Sequence, residues 1–319
     1  MGEVQAFTGK TFAETTKSSY RTHLLTYLRF CLYFQLDPIP ATTPTILAYI
    51  AFLARSLKPT SINNYLNIIR ILHLDAGLDN PLKENFAIQN LKRGISRELG
   101  TPPDQKLPIT CSILLKIREQ LCFLLPCDIV FWAACLIGFF GLFRKNTLLP
   151  QTLTNPGDSC ILRGDMKIVD PDTIVISVRK TKTIQCGERL LVMPFVSCVN
   201  NSRLCPVRAL KDLLHVAPID PKMPLFSYNQ PHSVKFWTHS AFTQKLKETV
   251  ARAGYNPKRY SGHSFRRGGA TLGFELGLSL PEIKVRGDWK SDAVNEYVVV
   301  HDIKKIASVM INGAAAQCK

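Results

Sequence analysis

Fifteen consecutive residues, Ile129 to Phe143, carry no charge, and the next is an arginine. A stretch so apolar reads as a helix buried on every side. It is too short to cross a bilayer, which needs about 20 residues. The rest of the chain must therefore wrap around it, and 319 residues at 46% hydrophobic supply enough material for a sizeable core. Arg144 leaves that helix at the rim of the core. Alone it fits two accounts, complementing the helix C-terminal dipole or holding an anion.

The first hundred residues read as four helices. TFAETTKSSYRTHLLTYLRFCLYFQL has amphipathic spacing and stops at DPIP. TPTILAYIAFLARSL follows, with Thr43 placed to cap it before Pro44. KPTSINNYLNIIRILHLDAGL ends near Gly77, and NPLKENFAIQNLKRGISREL is the fourth. Short connections predict a small helical bundle. GTPPDQKLPIT, residues 100–110, holds three prolines and marks a domain boundary between 1–103 and 104–319.

After the boundary, helical patterning returns in CSILLKIREQL, CPVRALKDLLHVA, THSAFTQKLKETVARAG, FRRGGATLGFELG and SLPEIKVRGDW. Between about residues 160 and 195 the period changes. TIVISVRKTKTIQCGERLLVMPF alternates, is rich in β-branched residues and turns near Gln185–Gly187, so it predicts a β-hairpin. CILRGDMKIV offers a third strand. The expected class is mainly α with a small β-sheet or hairpin (α+β).

Forty Lys and Arg against 24 Asp and Glu leave a net charge of +16, which favours a polyanionic partner, either nucleic acid or an acidic membrane surface. The excess is uneven, because residues 106–319 hold 29 of the basic side chains and 16 of the acidic ones. The ten cysteines are scattered, from Cys31 to Cys318, with no Cys-x-x-Cys and no N-terminal secretory pattern. They read as reduced thiols of an intracellular protein.

Three further features carry possible chemistry. The segment RKTKT, Arg179 to Thr183, puts cations on the hairpin. Such residues are commonly just solvated, but a hairpin lysine can also reach a DNA groove and protonate a leaving oxygen. In GHSFRRGG, His263 and Arg266 share one helix face, and the glycines permit close backbone approach. That pair is either a solvent-facing helix start or an anion fork. In GDWKSDAVNEYVVV, Trp289 precedes Tyr297 by eight residues. They read either as aromatics packing an amphipathic helix or as a nucleophile with its neighbour. Together the features suit phosphodiester chemistry: arginines neutralise the non-bridging oxygens, His and Lys move protons, and a tyrosine attacks. Guanidiniums then supply the positive charge, so no metal or other cofactor is expected.

In this order the residues resemble the tyrosine recombinase (phage integrase) family. The matches to its pattern are Arg144, Lys182, His263, Arg266, Trp289 and Tyr297, and wording such as GHSFRRGGAT and GDWKSDA is similar to the eukaryotic mobile-element branch of DIRS and Crypton type. The resemblance covers most of the chain. It implies a helical, SAM-like core-binding domain over 1–103 and a mixed α/β catalytic domain over 104–319. Three departures stand out. Thr147 occupies the position, three after the first arginine, where most relatives have an acid. The Trp-to-Tyr spacing is one residue shorter than in many relatives. Lys180 competes with Lys182 for the lysine role.

The resemblance further implies cleavage through a 3′-phosphotyrosyl link without ATP, double-stranded DNA as partner, and a homo-tetramer on two duplexes. Arg179, Lys180, Arg267 and Lys290 would contact DNA, and the segment after Tyr297 would reach a neighbouring subunit. Location would be intracellular, and nuclear in a eukaryotic host. Rival readings are a domesticated fold that binds DNA without cutting, a type IB topoisomerase, and a helical RNA-binding protein.

Overall fold

The computed structural model describes residues 11–12, 14–100, 105–153, 160–198 and 203–298. The chain divides into two compact units, Met1–Asp104 and Gln105–Lys319. Residues 101–104 of the proline-rich segment and residues 299–319, which include Cys318 and nearly all of the segment after Tyr297, lie outside the described residues.

The first unit contains α1 (Glu14–Phe34), α2 (Thr43–Ala54), α3 (Pro59–Asp75) and α4 (Phe86–Leu99), the four helices read from the sequence. Their apolar faces close on a core that includes Tyr27, Ile46, Tyr49, Leu53, Leu66 and Ile69. The cap of α2 is Thr42 rather than Thr43: its hydroxyl accepts from the Thr45 amide at 3.3 Å. Pro44 lies in the first turn, where it has no donor to lose, so the cap falls one residue earlier than the Thr-Pro pair suggested. Buried His73 is a satisfied core residue. Its Nδ1 bonds the Ile69 carbonyl at 2.8 Å, and its Nε2 accepts from the Ala41 amide at 2.8 Å.

The second unit is built around the apolar run, which forms α6 (Pro126–Phe140), with Val130 through Phe139 all buried. Around it stand α5 (Cys111–Glu119), the short α7 (Lys145–Leu148), α8 (Pro206–Val216), α9 (His239–Arg252), α10 (Gly262–Glu275) and α11 (Leu280–Gly287). Among the described residues no helix is long and apolar enough to cross a membrane. Strands β1 (Met166–Asp170), β2 (Thr173–Val178) and β3 (Leu191–Val196) form an antiparallel sheet in that order, so the third strand is present. In β2 Ile174, Ile176 and Val178 point into the core, and Ile174 pairs with Phe195 across the ladder.

Two parts differ from the sequence reading. A second hairpin, β4 (Ser227–Gln230) with β5 (Ser233–Phe236), was not expected. Its residues are mostly exposed and polar, so no period-two apolar pattern announces it. The amphipathic helix expected around GDWKSDAVNEY is only a 3₁₀ turn, Asp292–Glu296, capped by Ser291.

Close approach of α10 to its neighbours depends on two glycines. A Cβ on Gly268 would lie 1.8 Å from the Ile109 carbonyl oxygen, and one on Gly269 would lie 2.1 Å from that of Phe139. Gly268→Ala is therefore expected to destabilise the second unit by about 2 kcal/mol or more, read as a lowered urea midpoint. Gly94→Ala, in the middle of α4 with nothing within 4 Å of the new methyl, should instead stabilise the first unit by about 0.5–1 kcal/mol in the same measurement.

Candidate active site

The start of α10 is fixed by a reciprocal cap. The Ser261 hydroxyl accepts from the His263 amide at 3.3 Å, and the Ser264 hydroxyl accepts from the Ser261 amide at 3.0 Å. This anchored first turn sets where His263 and Arg266 point. His263 is exposed, whereas Arg266 is only 1% exposed. The helix-start reading of Arg266 as a solvent-facing residue is thereby overturned, because the glycine-permitted packing of α10 turns this face inward.

Three contacts define the Arg266 guanidinium. It lies over the Trp289 ring at 3.5 Å, it is 5.2 Å from the Tyr297 ring centroid, and its Nη1 donates to the Leu142 carbonyl. Trp289 and Tyr297 meet edge to face at 5.1 Å. Nε and Nη2 of Arg266 are buried and have no hydrogen-bond partner. Buried donors of a charged group are costly to leave unpaired, and these two are placed to receive an anion. Burial first, then the charge of Arg144, lowers the Arg266 pKa to about 9, while Tyr297 and Asp288 act in the opposite direction. It remains a cation at neutral pH.

Arg144 sits just past the end of α6, at the N-cap of α7, and not within the buried helix. Its Nη1 is 3.9 Å from Asp288 Oδ2. Thr147 is buried and offers no charge; among the described residues the carboxylate that pairs with Arg144 is Asp288. His263 faces a crowd of cations. Partial withdrawal from water, then Lys145, Arg266 and Arg144, hold its pKa below the ordinary 6.5, so the ring is neutral at pH 7 and able to accept a proton.

The structure brings Arg144, His263, Arg266, Trp289 and Tyr297 together, and it fixes the Lys182 loop nearby. Lys182 and Lys180 are both exposed in the connection between β2 and β3. The hydroxyls flanking Lys182, from Thr181 and Thr183, both donate to Asp288 Oδ2, Thr181 at 2.7 Å. Arg189 donates to the other oxygen of the same carboxylate. Lys290 is exposed beside these groups in sequence.

Two residues expected to face DNA have protein partners. Arg179 pairs with Asp165 at 3.0 Å. Arg267 donates from Nη1 to Gln105 Oε1 at 2.6 Å and to the Glu296 carbonyl at 2.8 Å. With the Thr271 hydroxyl, 3.4 Å from the Tyr297 carbonyl, Arg267 ties α10 to the turn that carries the tyrosine. The sequence reading missed Asp288, Arg189 and the two threonines as a group. The only local hint was an aspartate just past a helix end, where a left-handed residue is common.

Titrating the His263 ring by NMR should give a pKa below 6.5. Lys145→Ala removes the largest cationic contribution and should move that value upward; an unchanged titration would place Lys145 too far away to matter.

No family model matches the chain. It is 27% identical over 312 residues, 93% of its length and 84% of the relative's, to an integrase/recombinase xerD homolog of Selenomonas ruminantium. Its fold is similar to that of the Tn1549 transposon integrase in complex with transposon right end DNA (TM-score 0.65, 12% identity, 98% of each chain). It is also similar to the XerH site-specific recombinase bound to a palindromic difH substrate (TM-score 0.63, 15% identity, 92% of this chain and 79% of that one). A third match is a lambda integrase dimer bound to a core site (TM-score 0.63, 13% identity, 94% and 93%). The chain is thus similar in sequence to a recombinase and in fold to three DNA-bound recombinases or integrases, and its own structure gathers Arg144, His263, Arg266, Trp289 and Tyr297.

Proposed function

We propose that this protein is a site-specific DNA recombinase that cuts and rejoins double-stranded DNA through a covalent link to Tyr297. The observation that carries the reading is the Arg266 socket: a buried guanidinium with two unpartnered nitrogens, stacked on Trp289 and adjacent to the Tyr297 ring. A scissile phosphate supplies the oxygens those donors lack. Arg144 lies close enough for its charge to depress Arg266, so both guanidiniums share the charge that builds on the non-bridging oxygens in the transition state.

In the cleavage step the Tyr297 oxygen forms a bond to phosphorus and the bond from phosphorus to the bridging 5′-oxygen breaks. His263, neutral at pH 7, accepts the tyrosine proton. The Lys182 ammonium gives a proton to the leaving 5′-oxygen, with Lys180 as the nearest substitute. The products are a 3′-phosphotyrosine and a free 5′-hydroxyl, and attack by the hydroxyl of another strand reverses each transfer. Bond energy stays in the covalent link, so no ATP is consumed.

The first unit serves as the helical core-binding domain and the second as the catalytic domain. Lys290 and Lys180 meet the DNA backbone, and exchange takes place in a homo-tetramer on two duplexes. Arg179 and Arg267 contribute to DNA contact only insofar as Asp165 and Glu296 release them, and their first role is to hold the sheet and the tyrosine turn.

The test uses purified full-length protein and nicked duplexes carrying the flanks of the encoding locus. Wild type is expected to give a protein–DNA adduct that survives denaturant, and Tyr297→Phe to give none while still shifting DNA on a gel. Arg266→Lys keeps a charge but loses the planar fork, and should slow adduct formation by about 10²–10³. Tight DNA binding with no adduct across several flanks would replace this reading with that of a DNA-binding protein that no longer cuts.

A further inference from the structure

We infer that Asp288 is a positioning residue, with Thr181 and Thr183 as its paired donors, that fixes the Lys182 loop against Arg144 so that the lysine reaches the leaving oxygen. The inference rests on the reading of Lys182 as the proton donor and adds the device that places it.

Lys182 lies in a long connection, from Arg179 to Leu190, between β2 and β3. An exposed lysine on such a loop would spread over many positions, and proton transfer depends on holding it within hydrogen-bond reach of its target. The loop is held by one carboxylate. Thr181 and Thr183, either side of the lysine, both donate to Asp288 Oδ2, and Arg189 at the far end of the loop donates to Oδ1. Thr181 also closes the turn locally, since its hydroxyl accepts from the Thr183 and Ile184 amides at 3.0 and 3.1 Å. Ile184, completely buried, pins the next residue.

The same carboxylate reaches Arg144 at 3.9 Å, and the next residue is Trp289, on which Arg266 stacks. One side chain, 3% exposed, thus links the loop of the proton donor to the groups that hold the phosphate. Its backbone makes the same point. Asp288 ends α11 in the left-handed region, φ 54°, where glycine would be less strained. A glycine would end the helix and lose all four side-chain contacts. Burial acts to raise the Asp288 pKa, but the hydroxyls of Thr183 and Thr181 and the charge of Arg189 outweigh it and the net shift is downward, so the group is an anion at neutral pH.

Two variants test this, Asp288→Asn and the double change Thr181→Val with Thr183→Val, which leaves the helix end intact. Each is measured for DNA affinity, for the rate of adduct formation on nicked flank duplexes, and for that rate on duplexes with sulfur as the bridging 5′ atom. A thiolate leaves without a proton, so a misplaced lysine no longer matters. The expected result is at least a tenfold loss on the oxygen substrate, affinity unchanged within twofold, and recovery of most of the rate on the sulfur substrate. Normal rates on oxygen overturn the inference. A loss that sulfur does not restore also overturns it, because the defect then lies elsewhere than in the lysine. Amide hydrogen exchange over residues 181–184 of the free protein gives a readout independent of chemistry. Faster exchange in both variants supports the anchor, and unchanged exchange overturns it. If wild type forms no adduct on either substrate, the functional reading falls, and the exchange result still decides the anchor.

Discussion

The site depends on a buried cation. Arg266 stands with its guanidinium stacked on Trp289 and anchored to the Leu142 carbonyl, leaving two donors unpaired. A charge in that position is expensive, and the fold accepts the cost because α10 can press against α6 and the Ile109 segment, through glycines that leave no room for a methyl. Widen that contact and the arginine face turns away from the socket. The apolar run of α6 is thus more than filler: it is the wall that gives the arginine a low-dielectric setting, where an arriving anion is held more strongly than it would be at the surface.

The arrangement also explains why cations gather without an equal number of carboxylates. Arg144 and Arg266 repel each other, and Lys145 adds to the field felt by His263. Asp288 answers part of that charge, but it is shared among Thr181, Thr183, Arg189 and Arg144. The free site is left electropositive, and binding of the proposed phosphodiester would relieve the repulsion that folding created. A neutral imidazole in the same place follows from its partial burial first and then from the same field, because surrounding cations resist adding one more.

Much of this was legible in the sequence, and the reasons differ element by element. The core helix was legible because fifteen uncharged residues leave no other reading at that length. The sheet was legible because Ile174, Ile176 and Val178 alternate, and the four helices of the first unit because their apolar spacing and prolines agree. His263, Arg266, Trp289 and Tyr297 could be named because motif spacing is local. Asp288 could not be found that way. Its partners lie about a hundred positions upstream, and an aspartate after a helix looks like a cap. The partners of Arg267 were hidden for a related reason, since its bonds to Gln105 and the Glu296 carbonyl arise only when the chain has folded back. The second hairpin escaped notice because its stability does not come from an apolar stripe.

What remains is the unequal footing of the two halves of the site. The Arg266 socket is built into the core: opening it means disturbing α6, α10 and the Trp289 cluster together. Tyr297 stands instead at the end of a five-residue 3₁₀ turn. It is held by Arg267 to the preceding carbonyl, by Thr271 to its own carbonyl, and by ring contact with Trp289. Local stability follows the contacts that must break, so the turn that carries Tyr297 can shift at lower cost than the socket. The proposed strand exchange, which must cut, wait and rejoin, benefits from that division. Under the proposed reaction the arginines that hold the phosphate stay fixed through every step, and Tyr297 rides on the part of the site that yields first.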